Sequence, residues 1–391
     1  MRIGVDASCW GNKRGFGRFT RELITNLLEV DERNDYVFFI DNRTAESFPL
    51  PEAAAVEIVP TGASQIEAAS ADGRRSVSDV LAMSRRVFRH RLDLFFFPAV
   101  YSYFPIFNRS RVIVTVHDVI AEKNPDLIFP NRRSRYFWNL KLKLAIRQAD
   151  IVLTVSDYSR ESIGEHFGLP ESRLRVVNEG ARGDFRVLPE NGKMAGVLSK
   201  YGILPGKRFL LYVGGISPHK NLKALVQAFE QIAKRRGFEE VKLILVGDYK
   251  DDPFFSAYPA LKRQIAEAGI EERVVFTGFI SDEDLAFLYN AASMLTFPSL
   301  EEGFGLPAVE AMSCGTPVVA SRTGSLPEVI SDAGRFFDPR NPDDIAEVAS
   351  RVLSSDSLRK EMSEAGLRRS RDFMWKKAAE DTVRIFEEAC G

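Results

Sequence analysis

Cysteine is scarce in this sequence: Cys9, Cys314 and Cys390 are the only three among 391 residues. An odd number with no CxxC or Cys/His spacing builds neither a disulfide framework nor a zinc site, and suits a reducing compartment. Histidine is nearly as sparse. His90, His117, His166 and His219 lie far apart, which argues against a histidine-rich centre, so no metal is expected. No apolar run reaches the roughly 18 residues of a membrane-spanning helix. The first residues, MRIGVDASCW, turn polar too early for a signal peptide, and a cytoplasmic protein is expected. Neither sign of charge dominates. With 53 Lys and Arg against 54 Asp and Glu the net charge is −1, so no overall field points to nucleic acid, and no nucleic-acid partner is expected.

Apolar material, by contrast, is ample. At 45% hydrophobic, 391 residues exceed what one core usually holds, so two domains are expected. The pattern agrees. RIGVDAS, DYVFFID, LDLFFFP, RVIVTVHD and DIVLTVS read as strands separated by helical segments such as FTRELITNLLEV. From Asp184 to Lys207 strands cease and Gly, Pro and charge accumulate, as in a linker. The alternation then resumes with FLLYVGG, VKLILVGD, RVVFTGFI, ASMLTFP and TPVVAS. Strands apolar on both faces and alternating with helices predict the α/β class: two successive doubly wound parallel sheets. The domains are expected at 1–188 and 189–374, with 375–391 a separate amphipathic helix. Ligands of open parallel sheets bind beyond the carboxyl ends of the strands, so a cleft lined by those edges is the expected site.

Several strand ends carry chemistry. GNKRGFGRFT places Gly11, Gly15 and Gly17 ahead of a helix, where backbone amides can approach a ligand at its positive end. The dinucleotide fingerprint requires a third glycine where this chain has Thr20, which disfavours a nicotinamide-binding domain. VTVHDVI puts His117 and Asp118 at the end of a strand, with Asp118 a candidate for an acceptor site. That histidine fits either a functional role or a simple bond to a nearby carbonyl. FFFPAVYSYFPIF ends in an uncharged aromatic loop, and Tyr101, Tyr103 and Phe104 are candidates for an acceptor site as well as for core packing. In YVGGISPHKNL, Gly214 and Gly215 lead to His219 and Lys220 just before a helix, a place suited to a diphosphate.

The stretch EEGFGLPAVEA, Glu301 to Ala311, carries the most information. Pro307 fits the first turn of a helix and Gly315 its stop, so a short helix is expected over about 306–314. Glu302 lies before the Gly303-Phe304-Gly305 bend and Glu310 inside the helix, so the two carboxylates are free to hold different parts of one ligand. Carboxylates accept from sugar hydroxyls, while backbone amides and a lysine hold phosphates. Together they describe a nucleotide sugar. Two solvated glutamates on a capped helix would leave the bend unexplained.

Glu302 and Glu310 in EGFGLPAVEAMSCGTPVVAS resemble the EX7E motif of retaining GT-B glycosyltransferases, family 4 in particular. The resemblance extends to VGGISPHKNL, VVFTGFISDEDLAFLYNAAS and TGSLPEVISDAG, and more loosely to GFGRFTREL, TVHDVI and VSDYSRESI. It covers essentially the whole chain. It implies two Rossmann-like domains, the second binding the donor and the first the acceptor, with the segment from Trp375 crossing back onto the first. It further implies that Glu310 binds the ribose and that Glu302 with the Phe304, Gly305 and Leu306 backbone holds the donor sugar and phosphates. Lys220 would neutralise the leaving group, Gly15 and Gly17 would approach it, and His117 would sit near the reacting centre. The Gly278, Phe279 and Ile280 backbone would lie near the base. No cofactor beyond the nucleotide sugar, and no divalent ion, is implied.

Two positions depart from the family. Many members carry an arginine where this chain has Gly215, and others one where it has His219; His219, Arg18 or Lys13 are the cations at hand. VVNEGA, Val176 to Ala181, replaces a more usual PNG and resembles polysaccharide mannosyltransferases, which favours GDP-mannose over a UDP sugar. The expected acceptor is a glycan or lipid-linked glycan. An epimerase or sugar phosphorylase on the same fold, and a non-catalytic nucleotide-sugar sensor, are the alternatives. Finally, NRRSRYFWNLKLKLAIR, Asn131 to Arg147, holds six basic residues, no acid and three adjacent aromatics. It reads either as a helix with its aromatic face buried or as a peripheral contact with the anionic inner face of a membrane. Arg74 to Arg91 is a second basic run.

Overall fold

The computed structural model describes residues 1–12, 15–52, 54–62, 76–129, 131–190, 192–204, 206–249 and 256–391. Its chain divides into two units, Met1–Glu179 with Trp375–Gly391, and Gly180–Met374.

The first unit is built on a seven-stranded sheet of β1 (Arg2–Asp6), β2 (Asp35–Asp41), β3 (Ala55–Val59), β4 (Leu94–Phe97), β5 (Arg111–Thr115), β6 (Ile151–Thr154) and β7 (Leu174–Val176). Their order is β3-β2-β1-β4-β5-β6-β7, and every pair is parallel. Helices cover both faces, which is why β4 and β6 are buried at every position and read as uninterrupted apolar runs. The aromatic residues of β4 organise one core: Phe95 and Phe97 pack on Phe104 at ring distances of 5.6 and 5.1 Å. On the opposite face Phe96 meets Phe386 of the helix Trp375–Cys390 at 5.2 Å. That helix buries Trp375, Ala379, Val383 and Phe386 in the first unit, and ion pairs from Arg175 to Glu388 and from Arg33 to Glu387 fasten its outer end.

In the second unit, β8 (Phe209–Val213), β9 (Lys242–Val246), β10 (Val274–Gly278), β11 (Met294–Phe297), β12 (Val318–Ser321) and β13 (Gly334–Phe337) form a six-stranded parallel sheet of order β10-β9-β8-β11-β12-β13. Residues 180–188, expected at the end of the first domain, belong to this unit. Arg182 pairs with Asp282 at 2.8 Å, Phe185 packs edge-on to Tyr289, and the Leu188 amide donates to Asn290 at 2.8 Å. The segment expected to be a plain linker also contains a helix, Gly192–Lys200.

Strand order reverses once in each sheet, between β1 and β4 and between β8 and β11. Loops leaving two such neighbouring strands turn to opposite faces and open a crevice beyond their carboxyl ends. Of the segments singled out above, those after β1, β4, β8 and β11 leave strands at these two points, whereas His117 and Asp118 follow β5 and Gly278 ends β10.

Candidate active site

In the second unit the loop after β8 and the loop after β11 are bonded together. Pro218–Lys220 forms a single 3-10 turn, and Asn221 takes the left-handed conformation at φ +57° before the helix Leu222–Ala233. The Asn221 amide group donates to the carbonyls of Pro298 (3.1 Å) and Pro339 (2.7 Å), while the Leu300 N–H donates to the His219 carbonyl at 2.9 Å. These bonds set Lys220 opposite Glu302, with Nζ 2.7 Å from Oε1. Only 19% of the lysine side chain and 11% of the glutamate side chain are exposed. A charge pair so little hydrated holds both groups in a fixed place.

The bend after Glu302 is fixed by packing. Ser325 donates its N–H to the Glu302 carbonyl at 3.2 Å, and its hydroxyl lies within reach of that carbonyl and of the Phe304 carbonyl. Gly324, at φ +63°, has no room for a side chain: a Cβ would stand 2.8 Å from the Glu302 nitrogen. Gly305, at φ +100°, precedes the helix Leu306–Ser313, and a Cβ there would meet Leu326 at 2.6 Å. First-turn amides of such a helix have no partner inside it and favour an anion.

Glu310 is buried within the helix and accepts a hydrogen bond from the Tyr289 hydroxyl at 3.0 Å. Burial, and then the Glu310 carboxylate, push the nearby Cys314 thiol pKa upward, so that cysteine stays protonated. Glu302 and Glu310 thus have different partners, Lys220 and Tyr289. At the end of β11, Thr296 Oγ1 and Ser299 Oγ are buried with no hydrogen-bond partner among the described residues. Phe279 is exposed and Ile280 buried, next to a bridge in which the Gly247 N–H donates to the Gly278 carbonyl. His219 Nδ1 lies 3.2 Å from the Ser217 hydroxyl. Gly215 offers its carbonyl to the Tyr212 hydroxyl at 2.7 Å. Of the other cations proposed for the phosphates, Arg18 is partly buried and Lys13 lies outside the described residues.

The first unit places His117 just beyond β5, with its ring edge-on to Phe19 at 4.8 Å. Part of the residue is exposed, yet both ring nitrogens are buried and have no partner among the described residues. Burial lowers its pKa to about 4, so the ring is neutral at neutral pH. Of the two readings open for this histidine, the bond to a nearby carbonyl is not found among the described residues. Asp118 accepts from the Ile120 N–H at 3.0 Å and closes a turn. Gly15 and Gly17 lie in the first turn of the helix Gly15–Val30, not ahead of it. Gly17 is required by packing, since a Cβ would stand 2.1 Å from the Asn12 carbonyl oxygen.

The aromatic loop divides. Tyr101 is partly exposed and stacks on Phe16 at 4.2 Å. Tyr103 and Phe104, named as acceptor candidates, are instead core residues. Phe104 is wholly buried among the β4 aromatics, and the Tyr103 hydroxyl donates to Gln148 at 2.8 Å. Three residues that shape the site escaped the sequence reading: Tyr289, Asn221 and Ser325. Asn221 alone carried a local signal, an Asn placed just before an apolar helix. Among the described residues, no group of three His, Cys, Asp or Glu side chains is placed to hold a metal ion.

Two family models match this chain, "Glycosyl transferases group 1" over residues 198–369 and "Glycosyltransferase Family 4" over residues 14–182. The O-antigen chain mannosyltransferase B of Escherichia coli is 34% identical over 282 residues, which cover 71% of this chain and 70% of that protein. The serotype-specific mannosyltransferase WbdA of Escherichia coli is 29% identical over 69% of this chain, but the match spans only 32% of WbdA. Among solved structures, HepE from Anabaena in complex with UDP and glucose superposes with a TM-score of 0.74 at 20% identity, covering 99% of both chains. The chain belongs to glycosyltransferase family 4, a family of retaining hexosyltransferases, and has its GT-B fold of two Rossmann-like units.

Proposed function

We propose that the protein transfers mannose from GDP-mannose to a glycan or lipid-linked glycan acceptor with retention of anomeric configuration. The observation that carries this reading is the buried Lys220–Glu302 pair at the reversal point of the second sheet, beside the Gly303–Gly305 bend and ahead of the helix that bears Glu310. In this reading the Lys220 ammonium and the first-turn amides of that helix receive the diphosphate. Glu302 and Glu310 accept from hydroxyls of the sugar and of the ribose. Mannose is favoured by the relatives named as mannosyltransferases at 34% and 29% identity, and by Glu179 in VVNEGA. The glycan acceptor follows from the same names.

The reaction breaks the bond between the sugar C1 and the diphosphate oxygen, which leaves with the electron pair. The acceptor hydroxyl forms its bond to C1 on the same face and passes its proton to the departing phosphate oxygen. The contribution of this chain is positioning and stabilisation of the leaving group, the part of such a reaction where electrostatics does most. Lys220 supplies that positive charge without a divalent ion. His117, neutral and with both ring nitrogens unpartnered among the described residues, is suited to bond a sugar hydroxyl and not to neutralise phosphate.

Incubation with GDP-mannose and a mannan oligosaccharide, in EDTA, tests the proposal. GDP release with formation of an α-mannoside is expected, reduced about 100- to 1,000-fold in Lys220→Met, the scale for losing one group that stabilises developing charge. Formation of mannose 1-phosphate and a shortened oligosaccharide when inorganic phosphate is added would mark a phosphorylase instead. An altered sugar still joined to its nucleotide would mark an epimerase, and tight binding without turnover a sensor. Activity abolished by EDTA and restored by Mg²⁺ would overturn the metal-independent mechanism.

A further inference from the structure

The helix Arg132–Gln148 in the first unit presents its apolar residues in two directions. Leu142, Ala145 and Ile146 are buried in the unit's core. Tyr136, Phe137, Leu140 and Leu144 are turned outward, with 65, 55, 43 and 46% of their surfaces exposed. Burial of all three adjacent aromatics, one of the two readings open from the sequence, therefore holds only in part: Trp138 alone is partly buried, its indole N–H bonded to Glu122. Arg132, Arg133, Arg135, Lys143 and Arg147 are exposed as well. At about 100° per residue, Lys143, Tyr136, Arg147, Leu140, Arg133, Leu144 and Phe137 follow one another across an arc of about 120°. Basic and apolar side chains thus alternate around one outward face. The helix contains no acid, and among the described residues Arg133 lies over Phe137 at 5.7 Å.

We propose that this face is a docking surface for an anionic lipid bilayer. Four exposed apolar side chains interleaved with cations suit an interface whose headgroups are negative and whose acyl region begins a few ångströms below, since the long Arg and Lys stems reach the headgroups while the rings and leucines sink between them. A nucleic-acid partner would leave the apolar side chains unmatched. The second basic run is less suited. Arg86 and His90 are both turned to Glu57, at 3.4 and 3.5 Å, and Arg74 and Arg75 lie outside the described residues. The inference deepens the reading of a lipid-linked glycan acceptor, because an acceptor held in a membrane requires the enzyme to work at its surface. It does not depend on the donor.

Co-sedimentation of the full chain with vesicles, in the absence of any nucleotide sugar, tests it separately from the transferase reading. Wild type should pellet with phosphatidylcholine vesicles containing phosphatidylglycerol and remain in solution with phosphatidylcholine alone. Charge reversal of the three cations on this face, Arg133, Lys143 and Arg147, to Glu should weaken binding at least tenfold, and Tyr136→Ser with Phe137→Ser and Leu140→Ser should do so independently. Every substituted position is exposed, and an unchanged far-UV spectrum and melting temperature confirm the fold. Wild type that does not pellet, equal binding to neutral vesicles, or binding that survives both triple variants would overturn the proposal. So would a wild-type dimer that the serine variant dissociates without any vesicle binding, which would make this face a subunit interface. Donor turnover on a soluble acceptor should be unchanged in both variants, so failure here and failure of the proposed reaction are distinguishable.

Discussion

Replacing Lys220 by methionine removes one half of an ion pair whose other half has little access to water. Glu302 would be left with its carboxylate about nine-tenths buried and its Oε1 partner gone. Removing one member of a buried pair costs about 3 kcal/mol or more, since the remaining charge keeps its desolvation penalty without the attraction that offset it. Glu302→Gln exposes the lysine to the same problem, relieved in part because an ammonium on a four-carbon stem can turn toward solvent; about 2 kcal/mol is expected. The double variant removes both charges, so its cost should fall short of the sum by about 2 kcal/mol, the coupling of two groups in direct contact. The probe matters. Trp10, Trp138 and Trp375 all lie in the first unit, so tryptophan fluorescence would follow the wrong half of the molecule. Urea unfolding monitored by far-UV circular dichroism follows the helices of both units, and the transition that these substitutions shift is that of the second. Costs that add to within about 0.3 kcal/mol would show that the two side chains are not coupled and would refute the pairing.

Two further outcomes follow from the geometry. Gly324→Ala and Gly305→Ala each force a side chain onto a left-handed backbone with no space for it, and each should destabilise the second unit by about 2 kcal/mol and abolish donor binding, as differential scanning calorimetry and titration would show. His117 has a pKa lowered to about 4 against an ordinary value of 6.5, so as pH falls through 6.5 the unfolded chain binds a proton that the native chain refuses. Stability is therefore unaffected above that range and falls between about pH 6.5 and 4, by up to about 3 kcal/mol, and His117→Phe should flatten this limb of a pH–stability profile.

Much of this was legible in the chain because the central strands are buried on both faces. Apolar runs such as those of β4, β5, β8 and β11 announce themselves. The edge strands β3, β7 and β13 did not: β3 is largely exposed and carries Glu57 in its middle, and β7 spans three residues with Arg175 at its centre. Lys220, Glu302 and Glu310 were found because glycine, proline and charge at strand ends have few structural uses, and the fold places the first two in contact. Tyr103 and Phe104 were left open between acceptor site and core for the converse reason. An aromatic loop after a strand looks the same in sequence whether it lines a site or closes a core, and here Gln148, 45 residues further on, decides the matter by bonding the Tyr103 hydroxyl. Contacts of that range leave no local trace, and the same holds for Tyr289 on Glu310 and Ser325 on the bend.

The central claim is that Lys220, Glu302 and Glu310 bind a nucleoside diphosphate sugar, and thermal-shift titration with GDP, UDP and ADP, each in EDTA and in Mg²⁺, tests it most directly. A ligand that binds only the native state raises its melting temperature. The account predicts a rise with GDP that is indifferent to EDTA and lost in Lys220→Ala and Glu310→Ala. No rise with any of the three nucleotides, or a rise that both variants retain, would contradict it.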